Sequence, residues 1–219
     1  MKLIPLTLML ILFISRSLPA EELLKNGDFE TGDTTGWKYW EIYPWDGDGA
    51  PVESPTHVTI AIPGTIGTPV PPATSGSFAL TQQVSSNGTA RGGLYQEVKV
   101  IVNTPYILAG QMAFYGDDIG DVTIIGILDN SWNPALAFTT TNKSYISGNT
   151  VSSWMEFSIM IIPTKDVITV FTETRQDWPY GNVAGWYDNL SLRTVPEPTK
   201  LLISQNPKNN SIREEKQNR

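Results

Sequence analysis

The 219-residue chain contains no cysteine and a single histidine, His57. Without a thiol there is no disulfide, no cysteine nucleophile and no thiolate metal ligand. One imidazole also excludes any site that needs two histidines, and the residues beside His57 carry no nucleophile motif. A phosphate-binding glycine-rich loop followed by Lys and Ser/Thr is missing, as is the metalloprotease helix motif. We therefore expect a protein that is not an enzyme.

Basic side chains are also scarce. Residues 21–195 hold 8 basic and 19 acidic side chains, whereas residues 196–219 hold 5 basic and 3 acidic ones. An acidic body excludes nucleic acid as the expected partner, because such partners require a basic footprint. It suits a soluble protein that meets neutral ligands or cations.

No segment of ten or more residues carries apolar side chains at helical spacing. Short segments rich in Val, Ile, Thr, Tyr and Phe recur instead, separated by Gly, Pro, Asn and Asp, which is typical of strands and turns. This pattern predicts an all-β fold, a β-sandwich of the jelly-roll type. The predicted strands are residues 37–42, 58–62, 78–81, 93–101, 106–115, 122–128, 135–140, 154–161, 167–174 and 183–192.

Three units are expected along the chain. Residues 1–20 have the charged start, the apolar run and the small-residue exit of a secretory signal peptide, too short for a comfortable membrane span. Residues 21–195 form the sandwich, and residues 196–219 are a polar tail expected to be disordered. The mature protein is thus expected to be secreted, extracellular or on the cell surface, without a membrane span. Its oligomeric state cannot be deduced.

Several segments, in this order, resemble the galactose-binding-domain-like jelly rolls of carbohydrate-binding module families 4, 9 and 22. Each segment alone is common, but their joint order and spacing are fairly specific, and they cover nearly all of residues 23–193. The matching segments are 23–30 with Gly36-Trp37, 75–80, 93–98, 104–108, 153–157 and the closing Gly-Trp-Tyr-Asp-Asn-Leu-Ser-Leu of 185–192.

The resemblance implies a structural Ca²⁺ site where the two ends of the domain meet. In such modules a Glu and an Asp hold the ion together with backbone carbonyls. The corresponding positions here are Glu30 and Asp188, with Asp28, Ser75 and Ser77. Two carboxylates that approach each other in a weakly solvated place favour a cation between them, and Ca²⁺ accepts such oxygen ligands. Exposed turn residues without an ion are the alternative.

A sugar site requires an exposed aromatic side chain beside polar groups, because sugars present both C–H faces and hydroxyls. Trp37 and Trp154 are predicted to fill the core. The acidic, glycine-rich segment after residue 39 suggests exposed aromatics, and a second set lies in the loop before the last strand. A groove across a sheet is a further possibility. The candidates are Trp40, Tyr43 and Trp45; Arg175, Trp178 and Tyr180; Trp132; and the groove residues Arg91, Gln96 and Gln111.

The favoured function is therefore recognition of a polysaccharide or oligosaccharide. A structural or adhesive matrix protein is the first alternative, because carbohydrate-binding modules usually accompany an enzyme. A small glycoside-active enzyme is the second, since a glycosidase needs only two carboxylates and Glu97, Glu156, Glu173 and Asp177 are available. Residues 195–203 resemble the opening of a bacterial Val-Pro-Glu-Pro sorting signal, yet the apolar part stops at Ile203. A degenerate signal and a chance match both remain open.

Overall fold

The computed structural model describes residues 20–42, 57–62, 73–84, 90–116, 121–133, 143–148, 153–176 and 183–195, with the backbone alone for 143–148. All regular elements of this part are strands. They are β1 (Lys38–Ile42), β2 (Val58–Ala61), β3 (Leu80–Val84), β4 (Ala90–Lys99), β5 (Tyr106–Gly116), β6 (Val122–Leu128), β7 (Lys143–Gly148), β8 (Met155–Ile161), β9 (Val167–Gln176) and β10 (Val183–Thr194). Within the same part, no helix has the length and apolar character needed to cross a membrane.

The strands form two antiparallel five-stranded sheets. Sheet A has the order β1-β4-β9-β6-β7, and sheet B has the order β2-β3-β10-β5-β8. Side chains alternate between the two faces of each strand, so each sheet has an inner face toward the other sheet and an outer face away from it. The predicted β-sandwich jelly roll is confirmed.

The core lies between the inner faces of the two sheets. Leu94 and Val98 of β4 enter it, whereas Tyr95 faces outward, which is the alternation that the sequence predicts. Tyr187 of β10 crosses the core, and its hydroxyl donates to the carbonyl oxygens of Ile124 (2.9 Å) and Glu173 (3.1 Å) in sheet A. One phenol therefore connects the two sheets through the core.

Two buried polar side chains also link the sheets. Gln82 of β3 contacts the hydroxyls of Thr172 and Thr174 in β9. At the sheet edge, the buried carboxylate of Glu41 in β1 binds His57 and accepts the backbone N–H of Val58 in β2 (3.3 Å). Because buried polar groups require partners, these contacts fix the relative position of the sheets.

Most predicted strands are present, with shifted ends. β3 begins at Leu80 and continues through Gln82 and Gln83, whereas the prediction stopped at residue 81. The polar glutamines resemble a strand end in sequence, yet the structure buries both. The sequence did not predict β7, which pairs with β6. The predicted strand 135–140 lies outside the described residues, as do residues 1–19 and 196–219.

Candidate functional site

The N-terminal segment lies alongside β10, as predicted. The backbone N–H of Leu23 donates to the carbonyl oxygen of Leu192 (3.0 Å), and that of Leu190 donates to the carbonyl oxygen of Gly27 (2.8 Å). A Cβ at Gly27 would lie 2.0 Å from the Leu190 carbonyl oxygen, so the close approach requires glycine at this position. The two ends of the domain are therefore neighbours.

The tight turn at residues 26–29 determines the directions of Phe29 and Glu30. Asn26 and Phe29 both have positive φ, 50° and 56°. Phe29 is fully buried and stacks against Trp37, with ring centroids 5.8 Å apart. Trp37 in turn donates its indole N–H to the Asn26 carbonyl oxygen (3.1 Å). The predictions that Phe29 and Trp37 enter the core are confirmed, and this packing leaves Glu30 on the outside of the turn.

Glu30 and Asp188 bind the same loop, residues 74–78. The Asp188 carboxylate accepts the Thr74 backbone N–H (2.8 Å) and hydroxyl (2.6 Å). The Glu30 carboxylate accepts the backbone N–H groups of Ser77 (3.0 Å) and Phe78 (2.9 Å). The structure thus places the two predicted acids at the two ends of one loop.

Neighbouring oxygen atoms complete this site. The Ser75 hydroxyl donates to the Asn189 side-chain carbonyl (2.8 Å), and the Asn189 amide donates to the Thr74 hydroxyl (2.8 Å). Asp28 is exposed, and its carboxylate accepts the Glu30 backbone N–H (3.3 Å). Thr74 and Asn189 were not singled out from the sequence. Asn189 could have been, because it directly follows the predicted Asp188.

The donor chemistry of this site fits Ca²⁺. Asp188 is fully buried, yet no cationic side chain of the described residues pairs with it, and burial of a carboxylate without a counter-charge is costly. The surrounding groups are carboxylate, hydroxyl and amide oxygens, the ligands that Ca²⁺ prefers. Three or more acidic or imidazole side chains placed to share a metal ion do not occur in the described part. An ion would hence take its remaining ligands from neutral oxygens.

An aromatic cluster covers the outer face of sheet A. The loop after β6 turns back over the sheet because Glu97 accepts the backbone N–H of Trp132 (2.9 Å). Trp132 stacks on Tyr95 with ring centroids 4.5 Å apart and an interplanar angle of 14°. It also contacts Trp40 and Phe171 at centroid distances of 5.0 and 5.9 Å. We call these four rings the aromatic cluster.

Trp132 is the outermost ring of this cluster. It is half-buried, whereas Trp40 and Phe171 are fully buried beneath it and Tyr95 is 6% exposed. Lys38 lies over the Tyr95 ring, 5.6 Å from its centroid, and pairs with Glu97 at 3.5 Å. Burial raises the pKa of the Tyr95 phenol, Lys38 partly offsets this, and Glu97 adds to it. The phenol is therefore neutral at physiological pH.

Charged residues lie further along the same outer face of sheet A. Arg91 of β4 lies opposite Arg175 of β9, and Glu173 lies opposite Ile124 of β6, a member of the apolar layer around Trp40. Glu173 is 1% exposed, and both arginines are partly buried. The face thus combines a half-exposed indole with cationic and anionic side chains. Phe171 and Tyr95 were not named as candidates, although strand alternation already placed Tyr95 on this face.

One predicted sugar-site residue is buried, and four others cannot be placed. Trp40 was predicted in an exposed segment, but it is 0% exposed and donates its indole N–H to the Thr172 carbonyl oxygen (3.1 Å). The prediction of exposure was wrong because Trp132 folds over the ring from a distant part of the chain. Tyr43, Trp45, Trp178 and Tyr180 lie outside the described residues.

The predicted groove of Arg91, Gln96 and Gln111 does not form. Gln96 is buried, and its side-chain amide binds the backbone N–H (2.8 Å) and carbonyl (3.0 Å) of Lys25. Gln111 accepts the Asn189 amide (3.1 Å) in sheet B, on the face opposite to its buried neighbour Met112. Of these three residues, Arg91 is the one on the outer face of sheet A. Gln96 is in the same strand as Arg91 but an odd number of residues away, so it lies on the opposite face, and Gln111 belongs to the other sheet.

Trp154 also differs from its prediction. It is partly buried and packs on the outer face of sheet B against Ala113, Ala184 and Trp186, outside the core between the sheets. Of the tryptophans in the described residues, Trp132 and Trp154 are thus the two that are half-exposed, one on each sheet.

Comparison with known proteins gives similarity in structure alone. No family model and no curated protein sequence matches the chain. The structure is similar to the carbohydrate-binding module TmCBM61, solved in complex with β-1,4-galactotriose (TM-score 0.51, 17% identity, 80% of this chain and 100% of that one). It is also similar to the enzymatically active domain of the bacteriophage CBA120 tailspike protein 4 (TM-score 0.53, 11% identity). That match covers 80% of this chain and 21% of the tailspike chain. The chain therefore has the β-sandwich fold that is found in carbohydrate-binding modules.

Proposed function

We propose that this protein is an exported, non-catalytic carbohydrate-binding β-sandwich. The observation that carries the proposal is the half-exposed Trp132, held flat on Tyr95 at the outer face of sheet A. A sugar ring presents an apolar C–H face that packs on such an indole, and its hydroxyls require polar neighbours. The poly- or oligosaccharide would thus lie across the aromatic cluster.

The support beneath Trp132 favours binding because it limits movement of the ring. The ring rests on Tyr95 and Trp40, and the Trp132 backbone is held by Glu97. A platform that is ordered before the ligand arrives loses little conformational entropy on binding. Arg91 and Arg175 further along the face offer hydrogen-bond donors for hydroxyl groups. The fold shared with a galactotriose-binding module agrees with this assignment, though at 17% identity it supports the fold only.

The carboxylates on this face favour binding over hydrolysis. Glu97 is engaged by Lys38 and by the Trp132 backbone, and Glu173 is buried. A glycosidase requires two carboxyl groups on either side of the scissile bond, one of them free to donate a proton. Incubation with polysaccharides should release no new reducing ends; release that is lost in Glu173→Gln would instead support the glycoside-active alternative.

The test is a glycan array followed by affinity electrophoresis in polysaccharide gels. We expect retention of the wild type by at least one glycan, and at least about tenfold weaker retention of Trp132→Ala, since stacking residues dominate small interfaces. Trp154→Ala is the matched control, because it removes the half-exposed indole of the other sheet. Equal loss in both variants, or loss in Trp154→Ala alone, would contradict the assignment of the site.

The matrix-protein alternative has an observation of its own. Trp37, Trp40 and Trp186 are all at most 7% exposed, so much of the aromatic content stabilises the fold. Silence across a broad array, with Ca²⁺ and without it, would favour this structural or adhesive role.

We also propose that a Ca²⁺ ion stabilises the contact between the domain ends. The ion would be held by the carboxylates of Glu30 and Asp188 and by the backbone carbonyl oxygens of Asp28, Ser75 and Ser77. It would supply the positive charge that the buried Asp188 otherwise lacks. The role is structural, since the site belongs to sheet B and its loops, whereas the aromatic cluster lies on sheet A.

A further inference from the structure

The strand β8 forms one edge of sheet B and is exposed to solvent. It pairs with β5, and within the described part of the chain no strand lies along its other side. In an antiparallel strand with one neighbour, every second residue points its backbone N–H and C=O away from that neighbour. The side chains of Met155, Glu156, Ser158 and Met160 are all exposed. β8 therefore offers a row of backbone hydrogen-bonding groups that another strand can use.

β8 also lacks the features by which proteins prevent edge strands from pairing, which are several charges, proline or a bulge. It contains one charged residue, Glu156, has no proline, and keeps one register along β5. Five large apolar side chains are exposed among the described residues, and three of them, Met155, Met160 and Ile162, lie in β8 or directly after it. This edge is therefore suited to pairing.

The alternation of side chains restricts how two copies of β8 can pair. In a continuous antiparallel sheet with two-fold symmetry, residues of one face must lie opposite residues of the same face. The symmetry axis must therefore pass through a residue and not between two residues. An axis at Ser158 pairs the whole strand: Met155 with Ile161, Glu156 with Met160, and Phe157 with Ile159 of the second copy.

This register brings compatible side chains together. On the inner face, the exposed Met155 meets an isoleucine, and Phe157 meets Ile159, an aromatic and β-branched pair of the kind that stabilises neighbouring strands. On the outer face, the small Ser158 meets its own copy, so no bulky or charged side chain blocks the axis. The edge is thus complementary to itself.

We propose that β8 pairs with β8 of a second copy, so that the two B sheets join into one ten-stranded sheet. The pairing supplies partners for the edge backbone groups of both copies and covers part of the exposed apolar surface at Met155 and Met160. The partner of this edge is a second copy of the chain, in a contact that uses the same residues on both sides.

Charge substitutions at Met160 test the pairing, because Met160 would lie opposite Glu156 of the second copy. Sedimentation equilibrium of the full chain should give twice the chain mass. Met160→Glu should weaken dimerisation at least tenfold, since like charges directly opposite each other destabilise paired strands, whereas Met160→Lys should dimerise no more weakly than the wild type. Met160 is 62% exposed, so both variants should fold, which circular dichroism checks.

The matched control is Thr59→Glu, which adds the same charge at an exposed position of β2, the opposite edge of sheet B. This variant should dimerise like the wild type. A monomeric wild type would overturn the proposal and leave the edge to a strand from another protein. Equal weakening by Met160→Glu and Met160→Lys would also overturn it, because that result indicates apolar contact without this register.

Single cysteines test the register directly, because the chain has no cysteine of its own. Ser158→Cys would place two thiols at directly opposite positions, with Cβ atoms about 5 Å apart. Glu156→Cys would place them four residues apart along the strands, at about 14 Å, and Met160→Cys likewise. On mild oxidation we expect the disulfide-linked dimer to form at least tenfold faster in Ser158→Cys than in either of the other two variants.

An equimolar mixture of Glu156→Cys and Met160→Cys should again cross-link rapidly, because these two positions face each other across the axis. Equal rates in all three single variants would indicate random collision. Rapid cross-linking of Glu156→Cys alone would indicate a different register. Either result would contradict the proposed dimer.

Discussion

Glu30 and Asp188, which lie near opposite ends of the domain, hold opposite ends of one short loop. Asp188 accepts the backbone N–H and the hydroxyl of Thr74, and Glu30 accepts the backbone N–H groups of Ser77 and Phe78. The loop thereby connects the first turn of the domain with its last strand. Bringing distant parts of a chain together costs conformational entropy, and the contacts of this loop help to offset that cost. We therefore expect changes in the loop to lower the stability of the whole domain.

Removal of Ca²⁺ should lower the melting temperature. A chelator is expected to decrease the Tm of the purified protein by several degrees, and added Ca²⁺ should restore it, because an ion that binds only the folded state stabilises that state. Asp188→Asn should melt at one temperature with and without chelator.

Asp129→Asn is the control for this experiment. Asp129 also holds a loop by its carboxylate, which accepts the Thr164 backbone N–H (3.0 Å) and hydroxyl (2.7 Å), but it lies away from Asp188. This variant should have a lower Tm than the wild type, but the chelator should still decrease that Tm. Identical wild-type melting curves with and without chelator would remove the calcium proposal.

Substitution of Gly76 should be more damaging than substitution of Gly32. Both have positive φ, 60° and 76°, so alanine strains the backbone by about 1 kcal/mol at either site. A Cβ at Gly76 would also lie 2.3 Å from the Glu30 carboxylate, whereas at Gly32 the nearest atom is a Phe78 ring carbon at 3.5 Å. Urea unfolding should therefore show a loss of about 2–3 kcal/mol for Gly76→Ala. A larger loss in Gly32→Ala would contradict the packing of this loop.

Glu22 should make stability depend on pH in the acid range. Burial raises its pKa, but hydrogen bonds from Ser191, Leu192, Leu24 and Arg193 together outweigh burial, and the pKa lies below its ordinary value of 4.5. The folded state therefore favours the charged form. Its contribution is fully present above pH 4.5 and is lost as the pH falls through the lowered pKa.

The comparison is between the wild type and Glu22→Gln. We expect a difference in unfolding free energy of up to about 1 kcal/mol at pH 6, because the carboxylate is partly exposed to solvent, and a smaller difference at pH 3. Glu21→Gln, at the neighbouring exposed position, should show little difference at either pH. A difference for Glu22→Gln that grows as the pH falls would contradict the assigned hydrogen bonds.

Tyr187 should contribute to stability in neutral solution and lose that contribution in alkali. Tyr187→Phe leaves the carbonyl oxygens of Ile124 and Glu173 without this donor, at a cost of about 1–3 kcal/mol. Burial, above all, raises the pKa of the phenol far beyond its ordinary value of 10.0. The folded state hence keeps the neutral phenol, and its stability declines as the pH rises above about 10.

Unfolding measurements at pH 7 and above pH 10 test this prediction. The difference between the wild type and Tyr187→Phe should shrink in alkali. Tyr106→Phe is a milder control, because its hydroxyl accepts a single backbone N–H, that of Ile101 (2.9 Å). A Tyr187 that titrates near pH 10 in the folded protein, seen by ultraviolet absorbance, would refute its burial.

Local patterns in the sequence were sufficient for much of the fold. Period-two alternation predicts most strands and assigns Leu94 and Val98 to the core and Tyr95 to the other face, because successive side chains of a strand point in opposite directions. The Asn26-Gly27 turn predicts the burial of Phe29. The resemblance of the end segments to known modules predicts that Glu30 and Asp188 lie near each other. The alternation of side chains along strands could not predict this.

The candidate site depended on contacts that no local pattern contains. Alternation assigns the Trp40 side chain to one face of its sheet. Only the tertiary structure shows that Trp132, some ninety residues later in the sequence, covers it. The same limit applies to Gln96 and Gln111, whose strands belong to different sheets. Periodicity is a property of neighbouring residues, so it was sufficient for most of the strands and their faces but not for β7. The acidic, thiol-free composition is read directly from the sequence. Burial and stacking depend on residues far apart in the chain, so the tertiary contacts were needed to show that Trp40 is buried while Trp132 stays partly exposed.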